Sequence, residues 1–574
     1  MKKNRKQSNC NDCICLKQLI TALCIVCCFV LVFSCSKDEE KSDLAPPYDS
    51  ADIQYEENLK AYLRRSYTSR IQTVLVTENT VKVVGKCVNE EHFCLVEIPP
   101  YVDVVKAETA LYKVKLTDSS FQIELDRFVE REGILYDRLL SKWAVFKEGE
   151  EMELSSHARY ADNVQPLQSL TPVKLVNKKG LGGIIFNPYI TDFSLLNISS
   201  ATINVPITHF MHLTPSPGDI EHSYGGKMYY MDENYLKNTL DRPLLEATSR
   251  GRNISVAAII LLDPASRCAD PDLGRILQHP DNNGGIYTMP NMTTPESVNC
   301  YAAALDFLAK RYCTVDNRYG RITHWIMHNE MDGGNEWANM GLKPVGVFTD
   351  TYLKSMRMCY NIVRQYDVNA EVFASFSHSW TEISNPGWYT SKEIIDLINA
   401  YSMVEGDFQW GLAYHSYAQD LTNPCTWIDP NATLSMNTPF ITFKNLEVLN
   451  RWALSKENKY KGTIKRSVWL SEAGVNSRGY SEDELQKQAA GFAYAWKKIN
   501  TLEGIDGIQW HNWFDNEVEG ANLGLRKSLD SSHHGEAKPV WHVYQKANTD
   551  EEDEYFEQFL PIIGISDWNV VEDF

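Results

Sequence analysis

The sequence predicts an α/β fold, a (β/α)8 TIM barrel preceded by a small β-sandwich-like domain, and three observations carry that prediction. Between about Pro172 and Ala547, eight short apolar or β-branched runs alternate with amphipathic stretches of helical period, the pattern of strands covered by helices. Two of these runs stop abruptly in carboxylates: Ile322–Met327 gives way to His328, Asn329 and Glu330, and Ser467–Leu470 to Ser471 and Glu472. Barrel enzymes keep their chemistry at such C-terminal strand ends. Upstream, from Ile71 to about Phe146, shorter runs are broken by polar residues with no helical stretch between them, as in a sandwich of short strands.

Taken in order, residues 1–34 read as a leader. Lys2, Lys3, Arg5, Lys6 and Lys17 precede an apolar run, Leu19–Phe33, that is short for a membrane span and suits a secretion signal. The run closes in Val32-Phe33-Ser34-Cys35, which resembles the lipobox of bacterial lipoproteins. Ser36-Lys37-Asp38-Glu39-Glu40 follows and is similar to the acidic signal that sends lipoproteins of the Bacteroidota to the outer face of the outer membrane. The resemblance implies a cell-surface lipoprotein anchored in the outer membrane through a lipid on Cys35. Seven of the 14 cysteines lie at or before Cys35, and the Cys10/Cys13 and Cys24/Cys27 pairs there have no second ligand pair at metal-finger distance. Of the seven that remain, Cys87 and Cys94 could close a hairpin, although a chain of this size does not need it.

Residues 35–70 are polar, with Pro46-Pro47 and many charges, and read as a tether. Residues 71–165 form the β-sandwich-like domain, with strands expected near 73–76, 81–84, 92–98, 111–116, 121–125 and 142–146. It serves either as a support for the next domain or as a glycan-binding module. Residues 170–548 form the barrel. Its strands are expected at 183–187, 202–211, 254–262, 322–330, 371–375, 408–415, 468–472 and 507–513, with helices at 233–248, 294–312, 350–366, 391–401, 482–499 and 538–545. No glycine-rich phosphate loop follows the first strand, which argues against a doubly wound open sheet. The acidic tail, 549–574, opens with a charge run and ends in an apolar segment expected to dock on the body.

Charge narrows the partners. The chain carries −19, and the leader's +4 leaves −23 on the remainder, so binding to nucleic acid through basic patches is not expected. No cofactor or metal is expected: His209/His212 and His324/His328 lack the His-x-His and carboxylate pattern of metal-dependent barrel hydrolases.

Two carboxylates at two strand ends suit one chemistry in particular. Replacing a group on a sugar with retained configuration needs one carboxylate to attack the anomeric carbon and another carboxyl to protonate the leaving oxygen, with the two about 5 to 5.5 Å apart. Successive strand residues face opposite ways, so Asn329 and Glu330 can share a cleft only if the strand ends or bulges there. The following Asp332-Gly333-Gly334 makes an ending plausible.

On these residues the region from Gly180 to Asn548 resembles clan A of the glycoside hydrolases, retaining (β/α)8 enzymes with an Asn-Glu pair ending strand 4 and a glutamate ending strand 7. Asn329-Glu330 falls on the fourth predicted strand and Glu472 on the seventh. The resemblance implies Glu472 as nucleophile, Glu330 as acid and then base, and Asn329 on the sugar 2-hydroxyl. It further implies that His415 or Tyr417, at the end of the sixth strand, holds the nucleophile. It also implies sugar-stacking tryptophans, for which Trp510 and Trp513 at the eighth strand, Trp380 at the fifth and Trp337 beyond Glu330 are the candidates. The second strand departs from the pattern, with Thr208-His209-Phe210 where many members carry an arginine. The expected function is a retaining glycoside hydrolase acting on an extracellular polysaccharide or oligosaccharide, with neighbouring glycan-uptake proteins as partners. The alternative is a non-catalytic glycan-binding lipoprotein on a decayed barrel.

Overall fold

Eight parallel strands close a barrel in sequence order in the computed structural model of the chain, which describes residues 48–88, 92–106, 112–249, 251–516 and 520–572. The expected leader and Cys35 lie outside the described residues. The strands are β1 (Lys179–Leu181), β2 (Ser200–Pro206), β3 (Ser255–Leu261), β4 (His324–Met327), β5 (Glu371–Phe376), β6 (Trp410–Tyr414), β7 (Val468–Ala473) and β8 (Gly507–Trp510). β1 closes the ring against β8, with Gly180 opposite Gln509. Seven strands overlap their expected spans, but β1 ends before Gly183, so the expected strand 183–187 is a loop. The apolar Ile184-Ile185-Phe186 drew that expectation. The actual strand is glycine-flanked and carries almost no hydrophobic signal. At Gly180 a side chain would meet the Ile508 carbonyl at 2.7 Å.

Alternation of side chains splits the apolar residues into two sets. Ala257, Ile259 and Leu261 of β3, Ile326 of β4, Phe373 of β5, Ala413 of β6 and Trp469 of β7 fill the barrel interior as a cluster of their own. The opposite faces join the helices in one continuous outer core. The interior is thus plugged, and an open cleft can form only at its end.

Local signals set the helices. Pro295–Tyr312 starts with Thr294 and Ser297 capping each other and Pro295 in the first turn, a start worth about 1 kcal/mol. Val345–Tyr366 is buried along nearly its whole length because it lies between the barrel and the N-terminal elements. Its Lys354 pairs with Asp103 at 2.8 Å and Asp350 at 3.2 Å, and Asn361 donates to the Leu139 carbonyl.

The N-terminal region contains two four-stranded sheets. One joins Arg70–Val76, Thr80–Lys86, Ser120–Asp126 and Asn163–Val164, the other Phe93–Ile98, Lys113–Lys115, Lys142–Glu148 and Met152–Leu154. Their inner residues, such as Val74, Val83, Leu95 and Val145, belong to the same core as the barrel helices, and residues 48–574 form one unit. The expected tether is corrected in part: Ser50–Arg64 is a helix capped by Asp49. Tyr55, Leu59 and Tyr62 form its buried stripe, and the Tyr55 and Tyr62 hydroxyls donate to Asp350 and Glu405. The charges between those residues hid the stripe in the sequence. All seven cysteines from Cys87 onward are free. The tail docks through Phe556, Phe559 and Val571, and its charge run is not wholly solvated, since Lys497 pairs with Glu552 and Asp553.

Candidate active site

A cavity of about 660 Å3 opens at the C-terminal end of the barrel, and Asn329, Glu330, Tyr417 and Glu472 all line it. β4 stops at Met327, and the backbone then breaks from strand geometry: His328 and Glu330 take φ of 61° and 35°. This break allows both Asn329 and Glu330 to face the cleft. Such left-handed residues cost about 1–2 kcal/mol each, and neighbouring groups hold them. The Glu330 amide donates to Ser375 Oγ at 3.1 Å, the Gly333 amide to the Glu330 carbonyl at 2.8 Å, and the Tyr352 hydroxyl to the Met327 carbonyl at 3.0 Å. Glu472 reaches the cleft by a different device. The pairing of β7 with β8 shifts register between Leu470 and Ala473, a bulge that re-aims the side chains at the strand end.

His415 and Tyr417, just beyond β6, divide the two glutamates between them. His415 Nδ1 donates to Glu330 Oε1 at 2.9 Å and stands 4.0 Å from Glu472 Oε2. The Tyr417 hydroxyl donates to Glu472 Oε1 at 3.1 Å. Two oxygens at those distances from one nitrogen lie within about 7 Å of each other. Burial alone would push the Glu472 carboxyl up, but His511, His415 and the Tyr417 hydroxyl outweigh it and hold the carboxyl below its ordinary range. Burial would likewise push the His415 imidazole down, yet the Glu472 and Glu330 carboxylates raise it. Behind Glu330, Asp332 is fully buried and pushed up to about 7, by burial first and by the Glu330 charge second. It accepts from the Ser377 amide at 2.8 Å and the Ser377 hydroxyl at 2.5 Å.

The aromatic expectations divide. Trp337 lines the cleft. Trp510 and Trp380 do not: each is 0% exposed, with its indole N–H on a carbonyl, of Leu523 and Met436 respectively. Trp510 occupies the outward face of β8, packed on Phe492 and Tyr544. Trp513 is 1% exposed, stacked on Phe193 and Phe514 and bonded to Asp192. It borders an adjoining hollow rather than the cavity with the glutamates.

Several cleft residues went unread in the sequence: Trp388, His378, His511, Tyr287 and Asn204. Trp388 stands beside Trp337, and Gly333 lets them approach, since a side chain there would meet Trp337 at 2.7 Å and Trp388 at 2.9 Å. Strand alternation was the usable signal for His511, which directly follows the outward Trp510 and so shares the inward face of Gln509. The histidines weighed as metal ligands are placed otherwise: His209 bonds Asp263, His324 packs on Phe373 and Trp469, and His328 bonds Ser355. Among the described residues no group of three or more His, Cys, Asp or Glu side chains could hold a metal ion.

The fold and the cleft define a barrel protein with a paired-glutamate site. The chain belongs to a family of unknown function, DUF5722, which matches residues 172–571. No curated protein matches it. Among solved structures it is similar to a family 39 glycoside hydrolase from the gut symbiont Bacteroides cellulosilyticus WH2, at 16% identity, 85% of this chain, 83% of that chain and TM-score 0.41. It is also similar to a Bacteroides uniformis beta-glucuronidase, at 10% identity, 84% of this chain, 50% of that chain and TM-score 0.36. A third likeness is to a GH128 endo-beta-1,3-glucanase from Amycolatopsis mediterranei, at 11% identity, 65% of this chain, 100% of that chain and TM-score 0.31.

Proposed function

We propose that the chain is a retaining glycoside hydrolase that cleaves an extracellular oligosaccharide or polysaccharide by double displacement. The observation that carries this reading is the imidazole shared by two cleft carboxylates, which limits their facing oxygens to about 7 Å and fits the short spacing of a retaining pair better than the wide end, about 9.5 Å, of an inverting one. Glu472 attacks the anomeric carbon as Glu330 gives its proton to the departing oxygen. Water then attacks the glycosyl-enzyme, Glu330 takes its proton, and both carboxyls return to their starting states. The depressed Glu472 keeps its negative charge for attack, and Tyr417 orients it. His415, raised toward the cation beside Glu472, adds to the field that keeps Glu472 ionised. Asn329 meets the sugar 2-hydroxyl, and Trp337 and Trp388 offer apolar faces for a ring on the Glu330 side of the cleft. Secretion as a surface lipoprotein through Cys35 belongs to the same proposal, and Cys35→Ser should move the protein from the membrane to the soluble fraction.

The test is hydrolysis of a broad panel of plant, algal and host glycans and aryl glycosides by the parent, Glu330→Gln and Glu472→Gln. Turnover with a first product of retained configuration by NMR, lost a thousandfold or more in both variants, supports the reading. Glycan binding without turnover, unchanged in both variants, leaves a glycan-capture protein instead.

A further inference from the structure

Beside the cavity that holds the glutamates lies a second hollow of about 370 Å3. The two share Asn204, His511 and Asn516 in their walls, so they adjoin one another. The second hollow has the surface a sugar ring needs. Ile185 and Leu529 stand on its rim with 48% and 42% of their surface exposed, and Phe514 adds an aromatic edge. Asn512 and Ser528 supply amide and hydroxyl groups among them. Apolar side chains next to a few polar groups in a concavity of this size mark a ligand site.

Position in the ring decides which end of the substrate it would hold. The barrel closes in sequence order, so β8 and β4 stand opposite each other. Glu330 follows β4, and the group that leaves on its proton departs on the side of Trp337 and Trp388. The second hollow is built from the ends of β1, β2 and β8, across the cleft from that exit. We infer that this hollow holds the sugar unit next to the one that is attacked, on the side away from the leaving group, so that cleavage releases a disaccharide or longer piece rather than one sugar at a time. The inference rests on the glycosidase reading for the direction of cleavage, and on the shared walls alone for occupation of the hollow.

Neutral gluco-, manno-, galacto- and xylo-oligosaccharides of two to six units, with aryl monoglycosides of the same sugars, provide the test. The variant is Ile185→Ser with Leu529→Ser, both exposed and so tolerated by the fold. The piece released from the non-reducing side of the trisaccharide and longer substrates should be a disaccharide or longer, and the double variant should lose tenfold or more in kcat/KM on the tetrasaccharide while staying within twofold on the aryl monoglycoside. Stepwise release of single sugars from the non-reducing end of the tetrasaccharide and longer substrates, or equal losses on both substrates, overturns the inference. If no glycoside is turned over, the glycosidase reading fails by itself. Calorimetric titration of Glu472→Gln with the same oligosaccharides then still decides: affinity lowered tenfold by the double substitution supports occupation of the hollow, and unchanged affinity overturns it.

Discussion

Replacing Asp332 by asparagine should remove a pH-dependent weakness from the fold. Asp332 is buried behind Glu330 with its carboxyl pushed from 3.8 to about 7, so the folded chain binds a proton there that the unfolded chain has released. Between about pH 4 and pH 7 the native state therefore holds more protons at this site than the denatured state, and stability falls as pH rises. At 1.36 kcal/mol per unit, the full shift amounts to about 4 kcal/mol at most, present as a penalty above pH 7 and absent below pH 4. Asparagine imitates the protonated acid. Its carbonyl can accept from the Ser377 amide, and its NH2 can donate to the Ser377 hydroxyl, in place of the bonds at 2.8 and 2.5 Å. Urea unfolding of parent and Asp332→Asn should then give similar midpoints at pH 4.5 and a higher midpoint for the variant at pH 8. Other titrating groups cancel in the difference except those coupled to the site, chiefly Glu330. A difference that does not change between pH 4.5 and 8, or a variant less stable at pH 8, would refute the argument.

Three further outcomes are expected. Tyr417→Phe removes a hydrogen bond that helps hold Glu472 down, so the acid limb of kcat/KM should move to higher pH, with kcat reduced about tenfold or more; a pH profile measures both. Trp388→Ala should raise KM with the melting temperature kept, whereas Trp380→Ala should cost about 3–5 kcal/mol of stability by opening a cavity in the core. Tyr62→Phe takes a donor from the buried Glu405, which also pairs with Lys142 at 2.7 Å, and should destabilise the chain by about 1–3 kcal/mol in denaturant.

The order of the barrel strands was legible because β3 and β5 to β8 are compact runs of buried apolar residues, which few other structures produce. β1 was not, since Lys179-Gly180-Leu181 owes its place to close backbone approach rather than to hydrophobicity. The Ser50–Arg64 helix escaped notice because three apolar residues sit among many charges, and only the partner surface reveals them as a stripe. At the site, Glu330 and Glu472 were singled out by their place at strand ends, and Asn329, His415 and Tyr417 by the family resemblance, and the structure brings all five into one neighbourhood. Trp510 and Trp380 were misjudged for a physical reason. A strand end names no face, and the abundance of tryptophan at β8 reflects packing on Phe492 and Tyr544. Alternation counted from the interior would have separated them: Ala413 points inward on β6, as His415 and Tyr417 then do, while Ile508 and Trp510 belong to the outer core.

That same alternation fails at the two strands that carry the glutamates, and the failure locates what supports the chemistry. Counting from the inward Ile326 would aim His328 into the barrel, yet it is buried against Ser355 of the outer helix. Counting from Trp469 would turn Glu472 outward, and the register shift in β7 turns it in. The β7 device is built into strand pairing, whereas the β4 device rests on contacts from its neighbour, above all the Glu330 amide on Ser375 Oγ. Ser375→Ala should therefore leave a backbone donor without its partner, a loss of about 1–3 kcal/mol borne by the loop that carries Glu330. Activity should fall tenfold or more through kcat, with KM little changed and the barrel intact by circular dichroism. Full activity in Ser375→Ala would mean that the left-handed turn is held by Tyr352 and the Asp332–Ser377 contacts alone, and that β5 does not position the acid.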